Sequence, residues 1–132
     1  MLILIVTWVI VIYFLFGLYL YFFQRDFIYY PTKQDFFTCE AFNDSQKIEY
    51  KGTRFYYKKN SEKLAIFYHG NAGSACDRGY IKRIFSEEDY SFIITEYAGY
   101  SNDTSKPSQA AILNDVRNIN EFIAETSYST LI

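Results

Sequence analysis

The only histidine of this 132-residue chain stands in the segment YHGNAGSACD (68–77), directly after an unbroken apolar run. Gly70 and Gly73, so close to His69, leave bare backbone that a ligand can approach. Backbone N–H groups in such a turn bind anions, either a phosphate or the oxygen that turns negative in a tetrahedral acyl-transfer intermediate. Spacing argues against phosphate: the glycines satisfy neither G-x-x-x-x-G-K-[ST] nor G-x-G-x-x-G. Three side chains could add chemistry of their own. Cys76 is either a nucleophile activated by His69 or a small buried residue packing a helix start. His69 is either a general base or a hydrogen-bonded group that orders the loop. Ser74 is either a nucleophile or a cap. In each case the second role is the commoner one for a lone side chain of that type.

A loop of this kind must be held by strands and a helix. LAIFY (64–68) and SFIIT (91–95) are continuous apolar runs, the pattern of strands buried on both faces of a parallel sheet. Between them Tyr80, Ile81, Ile84 and Phe85 recur at helical spacing, in a segment starting near Asp77 and ending before Asp89. Together they predict a βαβ unit with a right-handed crossover, which puts the His69 loop at the carboxyl edge of the sheet, where ligands bind. Upstream, QKIEYKGTRFYYKK (46–59) reads as a hairpin turning at Lys51-Gly52. Downstream, Ile112, Val116, Ile119 and Ile123 mark one face of a helix whose first turn suits Pro107. SYSTLI (127–132) reads as the start of another strand.

Bulk composition excludes several classes. A net charge of −2 with only small charge clusters, such as Lys58-Lys59 and Glu87-Glu88-Asp89, gives no nucleic-acid-binding stripe. Cys39 and Cys76 are too few for a disulfide framework and lack metal-ligand spacing, so they leave the redox compartment open. With one histidine in the chain a His-rich metal site is excluded, and neither a metal nor a cofactor is expected. The paired aromatics Tyr56-Tyr57 and Tyr29-Tyr30 read as packing rather than a binding cage.

The N-terminus reads as a membrane anchor. LILIVTWVIVIYFLFGLYLYFF (2–23) has no charged residue, and about 20 helical residues span ~30 Å of hydrocarbon. Aromatics crowd its C-terminal end, followed by Arg25 and Asp26. No basic region precedes the run and no small-residue cleavage site follows it, which argues against a signal peptide. The positive-inside rule, applied to Arg25 and Lys33, places the following part in the cytoplasm. The expected organisation is an anchor (1–24), a juxtamembrane connector lying across something apolar (25–45), and an α/β portion (46–132).

The blocks LAIFYHGNAGS and SFIITEYAGYSNDTSKPSQAAILNDV, with the connector FQRDFIYYPT, resemble the membrane-anchored branch of the α/β-hydrolases. In that branch one strand ends in HGNAG, the next ends in an acidic residue, Tyr, any residue, Gly and Tyr, and a KPS segment begins the following helix. The resemblance runs from about Phe23 to the last residue. It implies an α/β fold: an incomplete hydrolase sheet made of the hairpin, the parallel βαβ unit and a helix, preceded by one transmembrane helix. It also implies that Asn71 supplies an oxyanion donor from its backbone N–H, that Gly70 keeps the loop tight, and that His69 orders the loop and is not the triad base. Glu96 and Tyr97 would be structural or pocket-lining. Ala98 stands where the family often has Arg, and Ser101 where Gly is common.

The family's nucleophilic serine lies in G-x-S-x-G, on the turn after the strand that begins here near Ser129. No G-x-S-x-G occurs in this sequence, and no second histidine is present to act as base. The expectation is therefore the N-terminal portion of a membrane-anchored hydrolase of esters, amides or thioesters, inactive alone. Its partners would be the lipid bilayer and, in a complete enzyme only, a small acyl substrate. The other expectation is a non-catalytic membrane-bound interaction module.

Overall fold

The computed structural model describes residues 1–126 and 130–131, which form two compact units, Met1–Tyr30 and Pro31–Ile132. The first is almost entirely helix α1 (Leu2–Ile28), whose residues are all unburied and which is long and apolar enough to cross a membrane. At 1.5 Å per residue its 27 residues extend about 40 Å. Thr7 and Gln24 are satisfied within the helix: the Thr7 hydroxyl donates to Ile3 O at 2.9 Å and the Gln24 amide to Tyr21 O at 3.0 Å. Satisfying polar groups locally is what a hydrocarbon environment demands.

The chain continues through β1 (Tyr30–Pro31), β2 (Gln46–Tyr50), β3 (Thr53–Lys58), β4 (Lys63–Tyr68), β5 (Ala72–Gly73), α2 (Ile81–Glu87), β6 (Ser91–Glu96), α3 (Gln109–Ala124) and β7 (Thr130–Leu131). Five of the strands form one sheet in the order β2-β3-β6-β4-β7. β2, β3 and β6 pair antiparallel, while β6, β4 and β7 run parallel. The predicted hairpin is present, with Lys51 and Gly52 at φ +50° and +80°, the pair of positive φ values that a two-residue type I′ turn requires. The βαβ unit is present too, with Ile66 opposite Ile93 in parallel register. Thr130 and Leu131 fall on a strand as expected, while Ser127, Tyr128, Ser129 and Ile132 lie outside the described residues.

The helices depart from expectation at their starts. α2 begins at Ile81 rather than near Asp77, because residues Cys76–Arg78 form a 3₁₀ turn instead. Close packing accompanies that tighter turn: a Cβ on Gly79 would come within 2.6 Å of the Ala41 side chain. α3 is capped by Ser108, whose hydroxyl accepts from the Ala111 N–H at 3.1 Å, so Pro107 precedes the cap instead of occupying the first turn.

Strand alternation sorts the core onto the two faces of the sheet. On one face Phe55, Tyr57, Leu64 and Ile93 meet Ile119 of α3, flanked by Phe122 and Ile123. The opposite face carries Tyr56, Phe92 and Ile94, and is covered by Phe36, Cys39 and Phe42 of the connector, by Ala75 and Cys76, and by Ile81 and Phe85 of α2. The connector thus lies across an apolar surface, with the Phe42 ring stacked 4.1 Å from Tyr56. Here one reading is corrected. Cys39 and Cys76 form a disulfide across 37 residues, with Cα atoms 5.9 Å apart. Cys76 is therefore neither a free packing residue nor a nucleophile, because its sulfur has no thiolate to offer. Two cysteines so far apart in sequence gave no sign of meeting until the connector folded back over the sheet.

Candidate functional site

The HGNAG segment leaves β4 at its carboxyl end, where β6 also ends in the buried Glu96. His69 and Glu96 are 4% and 1% exposed, so both polar groups depend on partners in the protein. Glu96 acts as the acceptor hub. It takes the Ala75 N–H at 3.1 Å and the Ser101 hydroxyl at 2.6 Å, and its Oε1 lies 3.2 Å from His69 Nε2. The last pair is within ion-pair reach but not aligned as a hydrogen bond, and among the described residues Nε2 has no hydrogen-bond partner. On the other side of the ring, His69 Nδ1 lies 2.7 Å from Gly70 O. A carbonyl can only accept, so Nδ1 is the donor there. Tyr97 and Tyr100 enclose the imidazole, with ring centroids 4.3 and 5.2 Å away.

The loop backbone is fixed by the same two tyrosines. Tyr97 donates its hydroxyl to His69 O at 2.9 Å, and Tyr100 donates to Asn71 O at 2.7 Å. Burial pushes the Tyr97 phenol up to about 12, which keeps it protonated as the donor. With the carbonyls of His69, Gly70 and Asn71 all held inward, Gly70 and Asn71 stand exposed at the crest of the loop. The conformational demand falls on Gly73, at φ +84°, where an added Cβ would approach Asp77 Oδ2 to 2.9 Å. At Gly70 an added Cβ would meet nothing within 4 Å, so the missing side chain there leaves open space over the crest.

Ser74 is buried, and its hydroxyl is spent on Asp77, donating to Oδ2 at 3.0 Å and lying 3.4 Å from the Asp77 N–H. The Asp77 pairing ties the hydroxyl up locally, while the N-cap position of the turn Cys76–Arg78 is Ala75 rather than Ser74. Ser101 sits at φ +47°, a left-handed conformation that favours glycine. Ala98 donates its N–H to Asp115 Oδ2 at 3.0 Å, so its contribution is made through the backbone. Asp115 also accepts from Thr53 at 2.8 Å, and burial raises its carboxyl above the usual range. Sequence reasoning missed this Thr53–Asp115–Asn118 network, because Asp115 and Asn118 are polar neighbours of the apolar α3 stripe and their partner Thr53 lies far away in sequence on β3.

An open cleft of about 410 Å³ lies along the β6–α3 loop, lined by Pro31, Thr32, Lys33, Gly99, Asn102 and Asp103. Neither Gly70 nor Asn71 lines it, although the Thr32 N–H donates to Gly73 O at 3.3 Å beside it. Among the described residues no three His, Cys, Asp or Glu side chains gather to hold a metal ion. No protein-family model matches the chain, and no curated protein matches it.

Proposed function

We propose that the His69–Gly73 loop is the oxyanion arm of an acyl-transfer site, carried by the N-terminal part of an α/β-hydrolase that is anchored in a membrane by α1. The observation that carries this reading is the place of β7, parallel to β4 and directly beside it. Adjacent parallel strands deliver their following loops to the same sheet edge. Leu131 is opposite Leu64, so a strand continuing in this register draws level with Tyr68 after four more residues. A serine on the turn beyond it would face the crest formed by Gly70 and Asn71, with the Asn71 N–H as one donor to the developing oxyanion. One such donor contributes about 100- to 1,000-fold to rate.

His69 has no place in the proton transfer of this reading, since it is buried behind the loop between Glu96 and Tyr97. Neither a G-x-S-x-G nor a second histidine is among these 132 residues. The chain by itself then holds an electrostatic receptor without an attacking group. The test has two arms. A fluorophosphonate probe leaves the 132-residue chain unlabelled, and specific labelling would overturn the reading. A tetrahedral monoanion such as methylphosphonate, titrated against the chain, shifts the amide resonances of Gly70 and Asn71 before those of the hairpin. Shifts that spare the loop would count against an oxyanion role.

A further inference from the structure

We propose that the unit from Pro31 onward lies on the non-cytoplasmic side of the membrane, in an oxidising compartment of the secretory type, and that Asn43 and Asn102 are N-glycosylated there. This is independent of the acyl-transfer reading and reverses the orientation taken from Arg25 and Lys33. Two separate observations meet in it. The first is the Cys39–Cys76 disulfide, whose half-cystines are 0% and 6% exposed and sit inside the core that covers one face of the sheet. Structural disulfides persist where thiols are oxidised and are rare in the cytosol, where glutathione and thioredoxin keep them reduced. A bridge joining the connector to the 3₁₀ turn that follows the HGNAG loop is part of this fold's packing, so the compartment must let it form. Two charges on one flank of α1 carry less weight than a covalent bond within the core.

The second observation is a pair of acceptor sequences, Asn43-Asp44-Ser45 and Asn102-Asp103-Thr104, each matching N-x-[ST] with a residue other than proline in the middle. Both asparagines are exposed, and both lie on turns. Asn43 ends the 3₁₀ turn Glu40–Phe42 at φ −63°, a conformation open to any residue, so the backbone does not explain an asparagine there. Asn102 is at φ +59°, which does suit asparagine, but that does not account for the hydroxyl residue two positions later. Among the described residues their side chains have no hydrogen-bond partner, in contrast with Asn60 and Asn118, whose amides are engaged. The neighbouring aspartates hold the turns: Asp44 pairs with Lys58 and Lys82, and Asp103 accepts the Gly99 N–H. The amides are thereby left toward solvent.

The chemistry needs two co-reactants, both supplied by such a compartment. An oxidant of the disulfide class takes two electrons and two protons from the two thiols as the S–S bond forms. A polyprenyl-diphosphate-linked oligosaccharide then transfers its sugar: the C1–O bond to the diphosphate breaks, the C1–Nδ2 bond forms, and the amide loses one proton.

Translation of the full chain with endoplasmic-reticulum microsomes tests the proposal. The expected product migrates two steps slower and returns to a single band on treatment with peptide N-glycosidase. Ser45→Ala and Thr104→Ala each remove one step, and the Asn43→Gln and Asn102→Gln variants reproduce them, which separates loss of the acceptor from misfolding. A maleimide-linked polymer reacts with neither cysteine until a reductant is added, and afterwards with both. An unshifted chain with two reactive thiols would overturn the proposal entirely. An unshifted chain with protected, bridged cysteines would overturn the modification sites. A shift abolished wholly by one variant would overturn the other site.

Discussion

One face of the five-stranded sheet is covered by a single amphipathic helix, α3, and the other by an irregular connector, a short helix and a disulfide. On the α3 face, contact comes from Ile119, Phe122 and Ile123, residues spaced as a helix requires. On the connector face it comes from Phe36, Cys39 and Phe42, which are held by turns and by the Tyr56 hydroxyl donating to Phe36 O at 3.1 Å. The site belongs with the second face. Glu96 follows Phe92 and Ile94 at two-residue steps on the same face of β6, and its acceptor oxygens hold Ala75, the neighbour of Cys76. The comparison teaches that the regular half of the molecule is scaffold, while the half with little periodicity positions the loop.

This asymmetry can be tested by breaking each face in turn. Replacing both cysteines by alanine should have the largest effect, about 4 kcal/mol of unfolding free energy for a loop of this size, measured by urea titration of the full chain in detergent. It should also speed amide exchange at Ala75 and Asn71. Equal protection with and without the bridge would remove the connector from the site's support. Ile119→Ala on the α3 face should cost about 3 kcal/mol and leave exchange in the loop unchanged. If the loop loosens as much as in the cysteine variant, the two faces are not separable.

Glu96→Gln should cost less overall, about 1–3 kcal/mol, yet act locally. The substituted amide keeps one acceptor but turns a donor toward groups that are themselves donors, Ala75 N–H and the Ser101 hydroxyl. Faster exchange confined to residues 69–76 is expected. Uniform destabilisation would demote Glu96 to a packing residue.

The smallest effect concerns Asp44, at the edge of the connector face. Hydrogen bonds from Lys58 and Lys82 hold its carboxyl well below the usual carboxylate range. A depressed folded-state pKa stabilises the fold above the unfolded value of about 4, and that contribution is lost as pH falls through it toward the folded-state value. As an exposed pair it is worth no more than about 1 kcal/mol. Asp44→Asn should flatten the loss of stability below about pH 4 by that amount, and an unchanged acid limb would show the pairs to be energetically silent.

What was legible in the sequence follows physical periodicity. Lys51-Gly52 between two β-prone runs marked a hairpin, while its type I′ geometry, with Lys51 itself at φ +50°, is set by the structure. LAIFY and the Phe92-Ile93-Ile94 core of SFIIT place apolar residues in unbroken succession because both faces of the sheet are covered there. The buried network of Thr53, Asp115 and Asn118 was not legible. Polar residues on a helix stripe give no sign of their partners, which here lie more than 60 positions away. Likewise Ser108 rather than Pro107 caps α3, a difference of one residue that only the hydrogen bond to the Ala111 N–H decides.

Local pattern by itself determined the long apolar helix, the hairpin, the parallel pair and the loop between strand and helix, because each depends on residues close together in the chain. Tertiary structure alone decided that Cys39 meets Cys76, that Glu96 and His69 share one buried pocket, and that β7 lies against β4. Those outcomes depend on which distant segments compete to cover the same apolar surface, and nearest-neighbour chemistry carries no record of that competition.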